Sequence, residues 1–123
     1  MNRIVVVEDE PDLRVTYERF LRRAGYRVAA TGSREEGAKL VGAAPRPSLL
    51  ILDLRLPDGD GLDLVHAARA LNPPVPVIVV TAFPTKAARE AALAAGAAAF
   101  LAKPFVAAAL LRLVRGTLEH VTN

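Results

Sequence analysis

The run Ile4-Val5-Val6-Val7, followed at once by Glu8-Asp9-Glu10, sets the fold of this chain. An unbroken run of β-branched residues predicts a strand that is buried on both faces, as the strands of a parallel sheet are. A second run of this kind, Leu49-Leu50-Ile51-Leu52, also ends in a carboxylate, Asp53. Because ligands bind at the carboxyl ends of parallel strands, we expect both acidic ends at one rim of the sheet.

The carboxylates expected at this rim need a cation. Crowded carboxylates repel and raise one another's pKa, and a bound metal ion or a lysine relieves both effects. Glu8, Asp9 and Asp53 are the candidate metal ligands, and Lys103, which follows a later apolar run, is the candidate lysine. Thr81 closes another apolar run. A hydroxyl and an ammonium beside a metal site are what the oxygens of a phosphoryl group require.

Five apolar runs of strand length alternate with five segments of helical periodicity. This alternation predicts βαβ units and an α/β fold, a doubly wound parallel sheet with helices on both faces. The predicted strands are residues 3–7, 27–31, 48–53, 76–81 and 98–102, and the predicted helices lie near residues 11–24, 33–43, 60–71, 85–95 and 105–119. Gly25 predicts the stop of the first helix, and Ser33 with Glu36 predicts a capping box that opens the second.

Length and composition indicate one domain of a cytoplasmic protein. The 123 residues suffice for one hydrophobic core, and the absence of cysteine excludes a disulfide framework and is compatible with the cytoplasm. The sequence shows neither the h-region of a signal peptide nor a membrane span, so we expect a soluble chain without a membrane partner. The 16 basic residues, against 13 acidic ones, are dispersed, which favours a solvated surface over direct nucleic-acid binding.

Four motifs at the ends of four predicted strands resemble those of the receiver domains of two-component response regulators, the CheY-like family. In the family's order and spacing they are Val6-Val7-Glu8-Asp9-Glu10, Leu52-Asp53-Leu54-Arg55-Leu56-Pro57 with Asp58-Gly59-Asp60-Gly61, Val80-Thr81-Ala82, and Lys103-Pro104-Phe105. Four separated motifs are far more specific than any single one. The resemblance covers almost the whole chain. It implies a flavodoxin-like (βα)5 fold with the strand order 2-1-3-4-5, which puts the first and third strands side by side.

The resemblance also implies a role for each candidate residue. Asp53 corresponds to the phosphoacceptor, which takes a phosphoryl group from a phosphohistidine of a sensor histidine kinase or a histidine phosphotransfer protein. Asp9 and Asp53 correspond to ligands of Mg²⁺, for which Mn²⁺ can substitute. Glu8 would hold metal-bound water, and the main-chain carbonyl of Arg55 would complete the site. Lys103 corresponds to the lysine that pairs with the phosphoryl oxygens.

The same resemblance implies a conformational switch and residues that control the lifetime of the phosphorylated state. Thr81 would move to bond the phosphorylated Asp53 while Phe100 swings inward, which changes the surface of the fourth helix, fifth strand and fifth helix. Arg55 and Phe83 each lie two residues after one of these motif residues, where similar receivers flank the path of the attacking water. Both side chains are large, so we expect them to slow hydrolysis.

Three other kinds of site fit the sequence poorly. A haloacid-dehalogenase-like phosphatase needs a second aspartate two residues after its nucleophile, where this chain has Arg55. A flavodoxin-type nucleotide site needs a Gly/Ser/Thr-rich loop after the first strand, where this chain has acids. A calcium loop that began at Asp58 would need glutamate at its twelfth position, which is Arg69. His66 and His120, in a chain without cysteine, form no metal-ligand set.

An alternative of another class stays open, a receiver-like interaction module that works without phosphorylation. Degenerate relatives of that kind usually lack part of the set of acids, threonine and lysine, and this chain has all of it. We expect a single receiver domain over residues 1–123, either a stand-alone regulator or the N-terminal part of a longer one, and a phosphoacceptor rather than an enzyme. Its effector stays open. A phosphorylation-dependent homodimer also stays open, since the lead into the fifth strand, Gly96-Ala97-Ala98-Ala99, lacks the aspartate that the winged-helix regulator class typically uses there for a dimer ion pair.

Overall fold

A five-stranded parallel sheet with helices on both faces forms the fold of the computed structural model, which describes the backbone of residues 2–122 and the side chains of residues 2–119. The strands are β1 Arg3–Val7, β2 Arg27–Thr31, β3 Leu49–Asp53, β4 Arg55–Leu56, β5 Gly59–Asp60, β6 Val77–Thr81 and β7 Ala99–Ala102. The helices are α1 Pro11–Arg23, α2 Arg34–Gly42, α3 Leu62–Arg69, α4 Lys86–Ala94 and α5 Ala107–Thr122. The sheet order is β2-β1-β3-β6-β7, which confirms the predicted order 2-1-3-4-5 with β6 and β7 as its fourth and fifth strands.

The central strands are buried on both faces, as their unbroken apolar sequences predict. Every residue of β3 and β6 is buried, and so is β1 after its first residue. Because side chains alternate along a strand, each strand contributes to two separate cores. The first core lies against α1 and α5 and contains Ile4, Val6, Tyr17, Leu21, Leu49, Ile51, Ile78, Val80, Leu110, Val114 and Leu118. The second lies against α2, α3 and α4 and includes Val5, Val7, Leu50, Leu52, Leu64, Val65, Val77, Val79 and Ala92.

Tyr17 is part of the first core. Its ring stacks on that of Phe105, with ring centroids 5.8 Å apart, and meets Phe20 edge to face at 5.9 Å. Among the side chains that the structure describes, none forms a hydrogen bond with its buried hydroxyl. Burial raises the pKa of this hydroxyl, and the nearby carboxylate of Glu8 raises it further.

Helix ends differ from the sequence prediction by at most three residues. The third helix begins at Leu62 and not near residue 60, because Asp60 belongs to β5 and its carboxylate accepts a bond from the Leu62 N–H at 2.9 Å. The fifth helix runs from Ala107 to Thr122. Gly25 ends α1 as predicted, with a φ of 101° that favours glycine.

The predicted capping box is half right. Ser33 Oγ accepts a hydrogen bond from the Glu36 N–H at 3.2 Å, as the motif requires. The carboxylate of Glu36 does not return to the Ser33 N–H, and instead accepts a bond from the hydroxyl of Thr31 at 2.9 Å. The Ser33 N–H donates instead to the oxygen of the same Thr31 hydroxyl, at 3.5 Å, so this hydroxyl stands between the two groups of the expected box.

The hairpin β4–β5 was not expected from the sequence. It follows Asp53 directly and reverses at Pro57 and Asp58, where the sequence predicts a turn before the third helix. Asp58 reaches across from this turn and accepts hydrogen bonds from the first two N–H groups of α2, at 2.8 and 2.9 Å. These bonds lower the pKa of Asp58.

No helix within the described residues is long and apolar enough to cross a membrane.

Candidate functional site

The register of β1 and β3 brings the predicted acids together. Val7, the last residue of β1, pairs with Leu52, the residue before Asp53. Glu8 therefore leaves the sheet beside the carboxyl end of β3, and Asp9 follows it into the loop before α1. Main-chain pairing, and not side-chain attraction, sets this placement, so like charges are held together at the rim.

The next two strands bring the hydroxyl and the ammonium to the same rim. Asp53 pairs with Val80, so Thr81 ends β6 one step beyond. Thr81 pairs with Ala102 of the edge strand β7, and Lys103 is the next residue. All four strands thus end at one level, and the predicted set of acids, threonine and lysine is assembled.

Carboxylate oxygens of Glu8, Asp9 and Asp53 lie within 4.8 Å of one another. The side chains of Glu8 and Asp53 are almost fully buried, with 1% and 6% of the residue exposed, whereas Asp9 is exposed. Three hard oxygen donors, one of them open to solvent, suit a divalent cation that keeps some of its water. The cluster is therefore consistent with the metal site of a receiver domain.

Lys103 joins the two buried acids. Its Nζ donates to Glu8 Oε1 and to Asp53 Oδ2, each at 2.6 Å. Burial raises the pKa of Glu8, and the hydrogen bond from Lys103 offsets only part of this effect. Burial by itself would lower the pKa of Lys103, but the bonds to Asp53 and Glu8 outweigh it and raise the pKa. The lysine therefore stays charged, and its single positive charge balances only one of the two buried carboxylates.

The second oxygen of each buried acid is also bonded. Asp53 Oδ1 accepts the N–H of Arg55 at 3.0 Å, and Glu8 Oε2 accepts that of Glu10 at 3.2 Å. The guanidinium of Arg14, on the first turn of α1, donates to the carbonyl of Glu8 at 2.8 Å. This residue was missed from the sequence, since an arginine on a helix face carries no local signal of a contact with a strand end.

The predicted switch and lifetime residues lie around the same rim. Thr81 is buried, and its Oγ1 accepts a hydrogen bond from the Phe83 N–H at 3.1 Å. Phe83 is 52% exposed, and the Arg55 guanidinium carbon lies 3.7 Å from the centroid of its ring. Phe100 is half-buried on β7 and packs against the core under α2, α3 and α4. The Arg55–Phe83 stack connects the loops after β3 and β6, which the sequence could not predict.

The histidines lie apart from this cluster. His66 is exposed on α3, and the side chain of His120 lies outside the described residues. The bond between Lys103 and Pro104 is cis.

Comparison with known proteins agrees with this geometry. The sequence model of the response regulator receiver domain matches residues 4–115. The chain belongs to this family. As a receiver domain it is a phosphoacceptor of two-component signalling rather than an enzyme, and the resemblance stated from the four motifs is confirmed.

Relatives of this receiver domain include both regulators and isolated domains. The transcriptional regulatory protein PrrA of Mycobacterium tuberculosis is 39% identical over 120 residues, which are 96% of this chain and 50% of that protein. The receiver domain thus spans about half the length of the curated relatives it matches. A CheY-like receiver domain protein from Methanospirillum hungatei superposes with a TM-score of 0.92 at 28% identity, covering 98% of this chain and 95% of that one.

A third relative was solved in a modified state. A response regulator protein from Burkholderia pseudomallei, with a phosphorylated aspartic acid, calcium ion and citrate, has a TM-score of 0.86 and 28% identity. The match covers 99% of this receiver domain and 71% of that chain. The fold therefore agrees over almost the whole domain.

Proposed function

We propose that this domain is a phosphorylation-dependent switch that accepts a phosphoryl group on Asp53. The observation that carries the proposal is Lys103 Nζ, which lies 2.6 Å from both Asp53 and Glu8 at a rim where Asp9 is exposed. A nucleophilic carboxylate, a fixed ammonium and a set of hard oxygen ligands in one cluster are what phosphoryl transfer requires. The phosphorylated aspartic acid in the Burkholderia pseudomallei relative supports the proposal.

In the proposed transfer an oxygen of Asp53 attacks the phosphorus of a phosphohistidine. A P–O bond forms, the P–N bond breaks, and the leaving imidazole keeps its electron pair. Lys103 neutralises charge on the phosphoryl oxygens, because its ammonium already touches the attacking carboxylate. Asp9 and Asp53, with Glu8 in the outer shell and the Arg55 carbonyl, would hold Mg²⁺ or Mn²⁺. A cation held there supplies further neutralisation of these oxygens.

The proposed output runs through Thr81. Its hydroxyl accepts a bond from the Phe83 N–H and retains its own proton to donate. A phosphoryl group on Asp53 adds acceptors that this hydroxyl can reach by shifting the loop before α4. Phe100 would then fill the space that Thr81 leaves, which changes the α4, β7 and α5 surface. Arg55 and Phe83 would slow hydrolysis by occupying the approach of water.

The proposed partners follow from the family. A sensor histidine kinase or a histidine phosphotransfer protein supplies the phosphoryl group, which places the domain in the cytoplasm, where ATP feeds the kinase. The effector is an output domain or a separate protein, and the transcriptional regulators among the relatives support the former. A phosphorylation-dependent homodimer is a further hypothesis.

Incubation with phosphoramidate and Mg²⁺ tests the proposal by intact mass. We expect the gain of one phosphoryl group in the wild type and none in Asp53→Asn. Asp12→Asn, which removes an exposed carboxylate in the first turn of α1, is the matched control and should react like the wild type. Equal labelling of Asp53→Asn would refute the assignment of Asp53 as the phosphoacceptor. No labelling of the wild type by any phosphodonor would favour the interaction module that works without phosphorylation.

A further inference from the structure

A second concave site lies at the opposite end of the sheet from the acids. Its cavity of about 510 Å³ is bounded by α5, by Arg69 at the end of α3, and by the residues that open β6 and β7. Pro76, Ala98 and Leu113 line it with apolar surface. The volume lies within the range of about 300 to 1,000 Å³ that small-molecule sites occupy.

Its charge distinguishes this cavity from other grooves of similar size. Arg69 and Arg112 line it, and none of its described lining residues is acidic. Within the described part of the chain, neither guanidinium has an ion-pair partner. The groove between α1, β2 and α2 instead contains acids beside its cations, and Arg22 there pairs with Glu18 at 3.2 Å. The cavity therefore carries two uncompensated positive charges.

Two glycines keep the cavity open. Gly116 lies in the interior of α5, where glycine is less favourable than alanine, yet an added Cβ would meet no atom within 4 Å. The packing of the described residues therefore does not require glycine there. Gly96 has a φ of 107°, and an added Cβ would come 3.1 Å from Arg69 Cγ. Its lack of a side chain lets Arg69 lie across the cavity rim.

We propose that this cavity binds a small phosphate-bearing molecule with an apolar part, of about the size of a mononucleotide. Guanidinium groups bind phosphate oxygens through two parallel hydrogen bonds, and two unpaired arginines at one cavity suit a dianion. The apolar lining of Pro76, Ala98 and Leu113 suits the rest of such a ligand. This inference is independent of phosphorylation at Asp53, because it involves residues at the other end of the sheet.

Titration of the ¹⁵N-labelled domain with AMP tests the inference at low salt and in EDTA, which keeps metal ions out of the acid cluster. We expect saturable amide shifts at Gly96, Ala98 and Gly116. Arg69→Ala and Arg112→Ala should each weaken binding at least tenfold, and adenosine without its phosphate should cause no comparable shift. Arg115→Ala is the matched control, since it removes an exposed charge from the same helix outside the cavity lining.

Gly116→Leu separates binding from folding. The substitution places a side chain toward the cavity and removes an unfavourable helical glycine, so the melting temperature should stay level or rise while AMP binding is lost. No saturable shift with AMP in the wild type would overturn the inference. So would full binding in Gly116→Leu, or an equal loss in Arg115→Ala and Arg112→Ala, which would indicate attraction to net charge alone.

Discussion

At the scale of single residues, Lys103 holds two buried carboxylates with one ammonium. We predict that Lys103→Met lowers the free energy of unfolding by about 2 to 3 kcal/mol near pH 8, because loss of one partner leaves a buried charge uncompensated. The value lies below the roughly 3 to 5 kcal/mol that is typical for the loss of one partner of a buried ion pair, because the lysine side chain is still 15% exposed. Urea unfolding measures it. Lys39→Met, which breaks an exposed pair with Glu35, is the control and should cost under about 1 kcal/mol.

The same substitution should make stability depend on pH. Burial raises the pKa of Glu8 in the folded domain, and loss of Lys103 raises it further above the value of the unfolded chain. The folded state then binds the proton more tightly, so the variant loses stability as pH rises through the folded pKa. We expect the deficit against the wild type to be small near pH 5 and larger near pH 8. A deficit that does not change with pH would mean that Glu8 does not carry the uncompensated charge.

Tyr17 carries a buried hydroxyl that no described side chain bonds. Tyr17→Phe removes this hydroxyl and keeps the ring, so we predict a gain of about 1 kcal/mol in the free energy of unfolding. Tyr17→Leu also removes the stack on Phe105 and should destabilise the domain. Denaturant melts of the two variants give the comparison, and a loss of stability in Tyr17→Phe would reveal a partner for the hydroxyl.

Arg55 and Phe83, whose N–H groups bond Asp53 and Thr81, form a stacked pair, and its effect on the phosphorylated state can be measured. Truncation of both to alanine opens the approach of water, so we predict about tenfold faster loss of the phosphoryl group, or about 1.4 kcal/mol off the barrier. Single-turnover decay in excess Mg²⁺ gives the rate. If the two side chains act as a unit, each single substitution should speed the loss of the phosphoryl group nearly as much as the double substitution does. Decay at the wild-type rate in the double variant would exclude this control.

At the scale of elements, the loop between β6 and α4 is the segment that the proposed switch would move. Thr81→Ala removes the hydroxyl that the Phe83 N–H bonds and that the phosphoryl group would attract. We predict that this variant still takes up the phosphoryl group but that amide exchange over residues 82–105 no longer responds to it. Ser33→Ala removes a hydroxyl that caps α2 and should leave the response intact. Identical responses in the wild type and Thr81→Ala would contradict the coupling.

The strands and the site could be predicted from the sequence more fully than the helix ends and the tertiary contacts. The apolar runs placed β1, β3 and β6 within one residue, because strands buried on both faces have an unambiguous pattern. The capping-box prediction was wrong for Glu36, because its carboxylate accepts a hydrogen bond from the Thr31 hydroxyl on β2 instead of from the Ser33 N–H. The contacts of Arg14 and the Arg55–Phe83 stack are also tertiary. Local sequence does not specify which distant partner a long side chain reaches.

At the scale of the whole molecule, the acid cluster holds like charges close together at one rim of the sheet. We predict that Mg²⁺ at 100 times its dissociation constant raises the free energy of unfolding by about 2.7 kcal/mol. Thermal melts with and without the metal measure this gain. Asp9→Asn should reduce it, because Asp9 is the exposed member of the cluster, whereas Asp12→Asn should not. If the melting temperature does not change when Mg²⁺ is verified to saturate the site, the metal does not stabilise the fold by relieving repulsion among these carboxylates.

The hairpin β4–β5 makes the two sides of the site unequal in stiffness. On one side, Asp58 bonds the first two N–H groups of α2, which ties the loop after Asp53 to that helix. Arg34 of α2 pairs in turn with Asp63 of α3 at 2.7 Å. On the other side, the loop from Ala82 to Thr85 is exposed. New charge at Asp53 would repel groups on both sides of it. The loop next to α2 is held by hydrogen bonds, whereas the exposed loop before α4 is freer to move. Displacement should therefore propagate in one direction, toward α4 and β7.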